Sequence, residues 1–91
     1  MRALRAMIDE IDAELVRLLR LRAACIDRAI ELKPAAGLPA RIESRVEEVV
    51  AHVRAEAIAQ DLDPALVEDL WRRLIDWSIT REERTLGKGS P

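Results

Sequence analysis

The sequence predicts an all-α protein: a three-helix protomer with a long first helix, paired with a second copy in an intertwined homodimer. Three observations carry this expectation. Aromatic residues make up 2% of the chain, as two Trp with no Phe or Tyr, and no run of alternating β-branched residues occurs, so strands lack their usual material. Apolar residues recur at helical spacing in three segments separated by Pro and Gly. Finally, 49% apolar against 35% charged residues is the balance of a folded chain rather than a disordered one.

The first helix is expected over residues 2–33. Leu4, Ile11, Leu18, Cys25 and Leu32 recur at seven-residue intervals, and Ile8, Leu15, Arg22 and Ala29 fill the second seam position. Pro34 disfavours the helical conformation at Lys33 and blocks continuation, so residues 34–39 read as a loop. A second helix over residues 40–60 carries Ile42, Val46, Val49, Val50, Val53 and Ala57 on one side. Asp61-Leu62-Asp63-Pro64 is a stop followed by a start, with Asp63 as N-cap and Pro64 at the first helical position. The third helix, residues 64–86, points Val67, Leu70, Trp71, Leu74, Ile75 and Ile79 inward. Residues 1–91 form one helical domain in which 87–91 are a frayed tail.

Length supplies the argument for a dimer. The first helix is about 48 Å long at 1.5 Å per residue. A compact chain of this size has a radius of gyration near 12 Å and a diameter of roughly 30 Å. The apolar seam of such a helix must be covered by another chain, most simply across a two-fold axis.

Composition also excludes partners. A net charge of −2 argues against nucleic acid or an anionic membrane, and no apolar stretch reaches the ~18 residues of a membrane helix. One Cys makes no intrachain disulfide, which points to the cytoplasm, and its seam position makes Cys25 core filling rather than a nucleophile. His52 is the lone histidine and no phosphate-binding Gly-rich loop occurs, so no metal site or cofactor is expected.

Several polar residues break the apolar stripes. Arg22 occupies a seam position, and Lys33 lies 11 residues on, three helical turns plus about 20°, hence on the same face. Ser78 and Glu82 are four apart on the face of the third helix that carries Trp71, Leu74 and Ile75. Arg45 borders the stripe of the second helix. Each alone reads as a register device or an interface ion pair, with Arg45 and Lys33 both available to Glu82. Together they would be costly to desolvate without a resident anion, and Arg is suited to gripping carboxylates bidentately. A structural network and a small-anion pocket both remain open on the residues alone. Arg5, about 25 Å before Arg22 along the helix, reaches such a pocket only from a partner chain.

Leu4-Arg5, Ile8-Asp9-x-x-Asp12, Leu18-Leu19-x-x-Arg22, Lys33, Arg45, Leu62-Asp63 and Ser78-x-x-x-Glu82 together resemble the all-helical chorismate mutases. The resemblance covers nearly the whole chain and implies an intertwined dimer with two shared sites. It implies that Arg5 of the partner subunit, Arg22 and Arg45 hold the two carboxylates of chorismate with help from Ser78. Lys33 and Glu82 would flank the ether oxygen of the breaking bond, making Lys33, Glu82 and Arg22 the catalytic set. The implied reaction is the unimolecular rearrangement of chorismate to prephenate in the shikimate pathway to aromatic amino acids, with no cofactor. Catalysis then consists of holding the folded conformer and stabilising negative charge on that oxygen.

Two positions depart from the family. Many members carry Gln where this chain has Glu82, which can assist only when protonated, so activity is expected to rise toward mildly acidic pH. Members usually place acids contacting the substrate hydroxyl at the positions of Ile42 and Val46. Related isochorismate-pyruvate lyases lack those acids, and the run Leu74-Ile75-Asp76-Trp77 also resembles them. The mutase is the favoured reading. The alternatives are the lyase, giving salicylate and pyruvate, and a non-catalytic helical dimer that binds a dicarboxylate or a partner protein.

Overall fold

The computed structural model describes residues 1–86; the expected tail at 87–91 lies outside the described residues. These residues form three helices and no strand: α1 (Arg2–Ala36), α2 (Glu43–Ala59) and α3 (Pro64–Leu86). Helix α3 is the central element, packing against α2 on one side and α1 on another. The core is small. Val46 and Val50 of α2 meet Ile75 and Ile79 of α3, with Val49 packed against them.

The boundaries show how local chemistry sets each end. Helix α1 runs three residues past the expected stop at Lys33 and contains Pro34 in its last turn. A proline there removes one N–H and tightens nothing downstream, so the helix closes only where the chain can turn left-handed. Gly37 does this at φ 71°, its N–H reaching Pro34 O at 3.1 Å while Leu38 N–H reaches Lys33 O at 2.9 Å. Helix α2 begins at Glu43 rather than at residue 40, with Ile42 extended at φ −123° and no side-chain cap. Its C-terminus uses the same closure as α1: Asp61 adopts φ 57°, and Leu62 N–H bonds Ala57 O at 2.8 Å. Asp is one of the few side-chain-bearing residues that tolerate this region. Helix α3 starts as its sequence signals, with Asp63 Oδ1 accepting the Ala65 N–H at 2.9 Å ahead of Pro64.

The protomer is elongated, 55 × 23 × 16 Å, with a radius of gyration of 15.9 Å against about 12 Å for a compact chain of this length. The cause is α1, which has no buried residue. Its N-terminal turns project beyond α2 and α3, and along its apolar face Leu4, Ile8, Ile11, Leu15 and Leu18 are about half exposed. Cys25, expected as core filling, is also exposed, so periodicity misplaces it. On α3 the inward set is narrower than the periodicity implies: Val67, Ile75 and Ile79 are buried, whereas Leu70 is 49% exposed. Leu70, Trp71, Leu74 and Trp77 instead face Leu15 and Leu18 across an apolar groove of about 620 Å³ between α3 and α1.

Candidate active site

The C-terminal half of α1 is where polar residues meet α3. Arg22 Nη1 donates to Ser78 Oγ at 3.1 Å, and Ser78 Oγ in turn donates to Leu74 O one turn back at 2.9 Å. Lys33 Nζ donates to Glu82 Oε2 at 2.5 Å and to Ala40 O at 2.9 Å. Ser78 and Glu82 are among the most buried residues of the protomer, at 4% and 3% exposure. A carboxylate so enclosed requires a cationic partner, and Lys33 supplies it.

These groups border a cavity of about 250 Å³. Arg22, Lys33, Arg45 and Glu82 are its charged walls. Ile26, Ala29, Ile42, Val46, Ile75 and Ile79 close the remainder with aliphatic surface. The larger apolar groove between α1 and α3 borders Arg22 as well but lacks the convergent polar groups that orient a small ligand.

Cavity electrostatics favour an anion. Arg22 has its pKa held below the usual guanidinium range, first by partial burial and second by the neighbouring positive charge of Arg45. The two arginines repel each other across the cavity unless negative charge lies between them. Arg45 itself is exposed and is held by Glu48 one turn along α2. Among the described residues no cluster of three or more His, Cys, Asp or Glu side chains could hold a metal ion, and no helix is long and apolar enough to cross a membrane.

Of the residues singled out in the sequence, the fold brings Arg22, Lys33, Arg45, Glu82, Ile42 and Val46 to one cavity, with Ser78 behind Arg22. It does not bring Arg5, which stays exposed on the projecting part of α1. Two features were missed. The Ala40 carbonyl, presented at a bend where helix was expected, is the second acceptor for Lys33. Asp27 and Arg81 form a bidentate ion pair beside the site, with contacts of 2.6 and 3.1 Å. Neither leaves a one-dimensional signal, since a backbone acceptor has no residue type and the pair is separated by 54 positions.

The chorismate mutase type II family model matches residues 4–83. The T-protein of Enterobacter agglomerans is 38% identical over 80 residues. That alignment takes in 88% of this chain and 21% of the relative, so the chain spans about one fifth of that protein's length. No solved structure matches the chain significantly. The family match extends from the N-terminal turns of α1 to the last turns of α3, which carry Glu82, and by it the chain belongs to the chorismate mutase type II family.

Proposed function

We propose that the protein rearranges chorismate to prephenate in the cavity between α1, α2 and α3, and that two protomers complete each site. The observation that carries this is the convergence of Arg22, Arg45 and Lys33 on one aliphatic cavity, with the two guanidinium groups repelling each other. A dianionic substrate relieves that repulsion and is gripped at both ends. A unimolecular pericyclic step needs no base or nucleophile, only the reactive conformer and a positive charge beside the ether oxygen. Lys33 has three donors and spends two on Ala40 O and Glu82, leaving one for that oxygen. Ser78 fixes the Arg22 fork, and Glu82 donates to the same oxygen when protonated.

The dimer follows from the half-exposed seam of α1, which a second copy covers, bringing Arg5 of the partner subunit alongside the cavity. A cytoplasmic role in aromatic amino acid synthesis accords with this chemistry and with the free thiol of Cys25.

One feature favours a second reading. Ile42 and Val46 present aliphatic surface to the cavity, with no acid there to receive a ring hydroxyl. An isochorismate-pyruvate lyase would tolerate that wall. The deciding experiment offers chorismate and isochorismate separately to purified protein and identifies the products. Prephenate from chorismate is the expected result. Salicylate and pyruvate from isochorismate alone would establish the lyase. Turnover of neither by a folded dimer would leave a binding module.

A further inference from the structure

The contact between α1 and α3 is unusual in what it lacks. Within one protomer no α1 residue is fully buried. Three polar rungs tie α1 to α3: Arg22 to Ser78, Asp27 to Arg81, and Lys33 to Glu82. The first and third belong to the cavity. The second does not, because neither Asp27 nor Arg81 lines it.

Helical geometry places the middle rung on the opposite flank. Asp27 is about 140° around α1 from Arg22 and about 120° from Lys33, which share a face. On α3, Arg81 immediately precedes Glu82 and follows Ser78 by three residues. The seam is therefore tied on the cavity side by two rungs and on the far side by one. The far rung is also the geometrically strictest, since Arg81 Nε and Nη2 engage the two carboxylate oxygens of Asp27 separately at 2.6 and 3.1 Å. Arg81 is steadied in turn by Trp77, whose ring centroid lies 5.6 Å from the guanidinium carbon.

We propose that Asp27 and Arg81 are positioning residues: their bidentate pair sets the rotation and register of α1 on α3 and thereby holds Arg22 and Lys33 at the cavity wall. The pair touches no substrate. Both side chains are close to half exposed, at 47% and 41%, so their main effect is geometric rather than stabilising. For its activity readout the proposal rests on the mutase reading.

The test compares Asp27→Asn, Arg81→Met and the charge-reversed double variant Asp27→Arg/Arg81→Asp for kcat and KM on chorismate, melting temperature and far-UV circular dichroism. Each single variant should lose kcat by about tenfold or more, in keeping with the cost of misplacing catalytic groups. Melting should shift by no more than about 4 °C. The reversed pair should recover most of the lost rate. Single variants within about twofold of the parent in kcat and KM, losses that track the folded fraction, or no recovery in the reversed pair would each overturn the proposal. Variants that do not fold would make the pair a stability element and overturn it equally.

A second measurement is independent of the substrate. In a urea-unfolding cycle combining Asp27→Asn with Glu82→Gln, displacement of Lys33 by the first change should make the two effects non-additive; additive effects would count against the proposal. If the parent does not rearrange chorismate, the functional reading fails, and this cycle alone decides the positioning role.

Discussion

Lys33→Met separates the stabilising role of the lysine from the catalytic one proposed for it. The substitution keeps most of the aliphatic stem and removes the ammonium that bonds Glu82 and Ala40 O. Glu82 is left 3% exposed without its cation. Breaking a buried pair in this way costs about 3–5 kcal/mol, and the 17% exposure of the Lys33 side chain puts this case at the lower end. The rate effect is of similar size but different origin. Removing a fixed donor from a developing oxyanion costs about 2.7–4 kcal/mol, or roughly 10²- to 10³-fold in kcat. The companion Lys33→Met/Glu82→Gln neutralises the stranded carboxylate, so most of the stability should return while the rate does not. The assay pairs urea unfolding with initial rates of chorismate disappearance at saturating substrate. A folded Lys33→Met protein retaining kcat within about threefold of the parent would refute the catalytic assignment. So would a double variant that recovers rate along with stability.

Three further outcomes are expected. Because an amide N–H at position 82 can donate to the ether oxygen as a neutral carboxyl would, Glu82→Gln should keep the fold and retain or raise kcat on chorismate; a loss of tenfold or more in a folded variant would eliminate the donor role. Leu18→Glu on the α1 seam should reduce the sedimenting mass from dimer to monomer and abolish activity, whereas an unchanged mass with full activity would remove the shared-site reading. Arg81, Arg72 and Arg54 hold the carboxyls of Asp27, Glu47 and Glu68 below their ordinary values, chiefly through side-chain hydrogen bonds. Depressed carboxyl pKa values favour the folded state fully only above the unfolded values of 3.8 for Asp and 4.5 for Glu, and this contribution disappears as pH falls through the lower folded values. Urea midpoints should therefore be level between pH 6 and 7 and fall below pH 4, with a shallower fall in Glu47→Gln/Glu68→Gln.

How legible the site was in the sequence depends on how each residue acts. Arg22 and Lys33 were recoverable because 11 residues is nearly a whole number of helical turns, so spacing alone puts both cations on one face. Ser78 and Glu82 were recoverable for the same reason at four residues. Whether Glu82 would meet Lys33 or Arg45 was not, since that choice depends on how α2 and α3 cross. The structure pairs it with Lys33 and gives Arg45 to Glu48. Periodicity overestimated burial on α1 and at Leu70, because it reports which face is apolar and not whether anything packs against it.

By itself the sequence determined the three helices, the Asp63-Pro64 start of α3 and the face on which each polar residue lies. All of these follow from interactions within a few residues: periodicity, capping and backbone restriction. Tertiary structure alone decided the non-helical bend that offers Ala40 O to Lys33 and the union of Asp27 with Arg81. In each of these the deciding partner lies beyond the local segment or is a backbone group, and spacing along one helix carries no information about the azimuth and crossing of another.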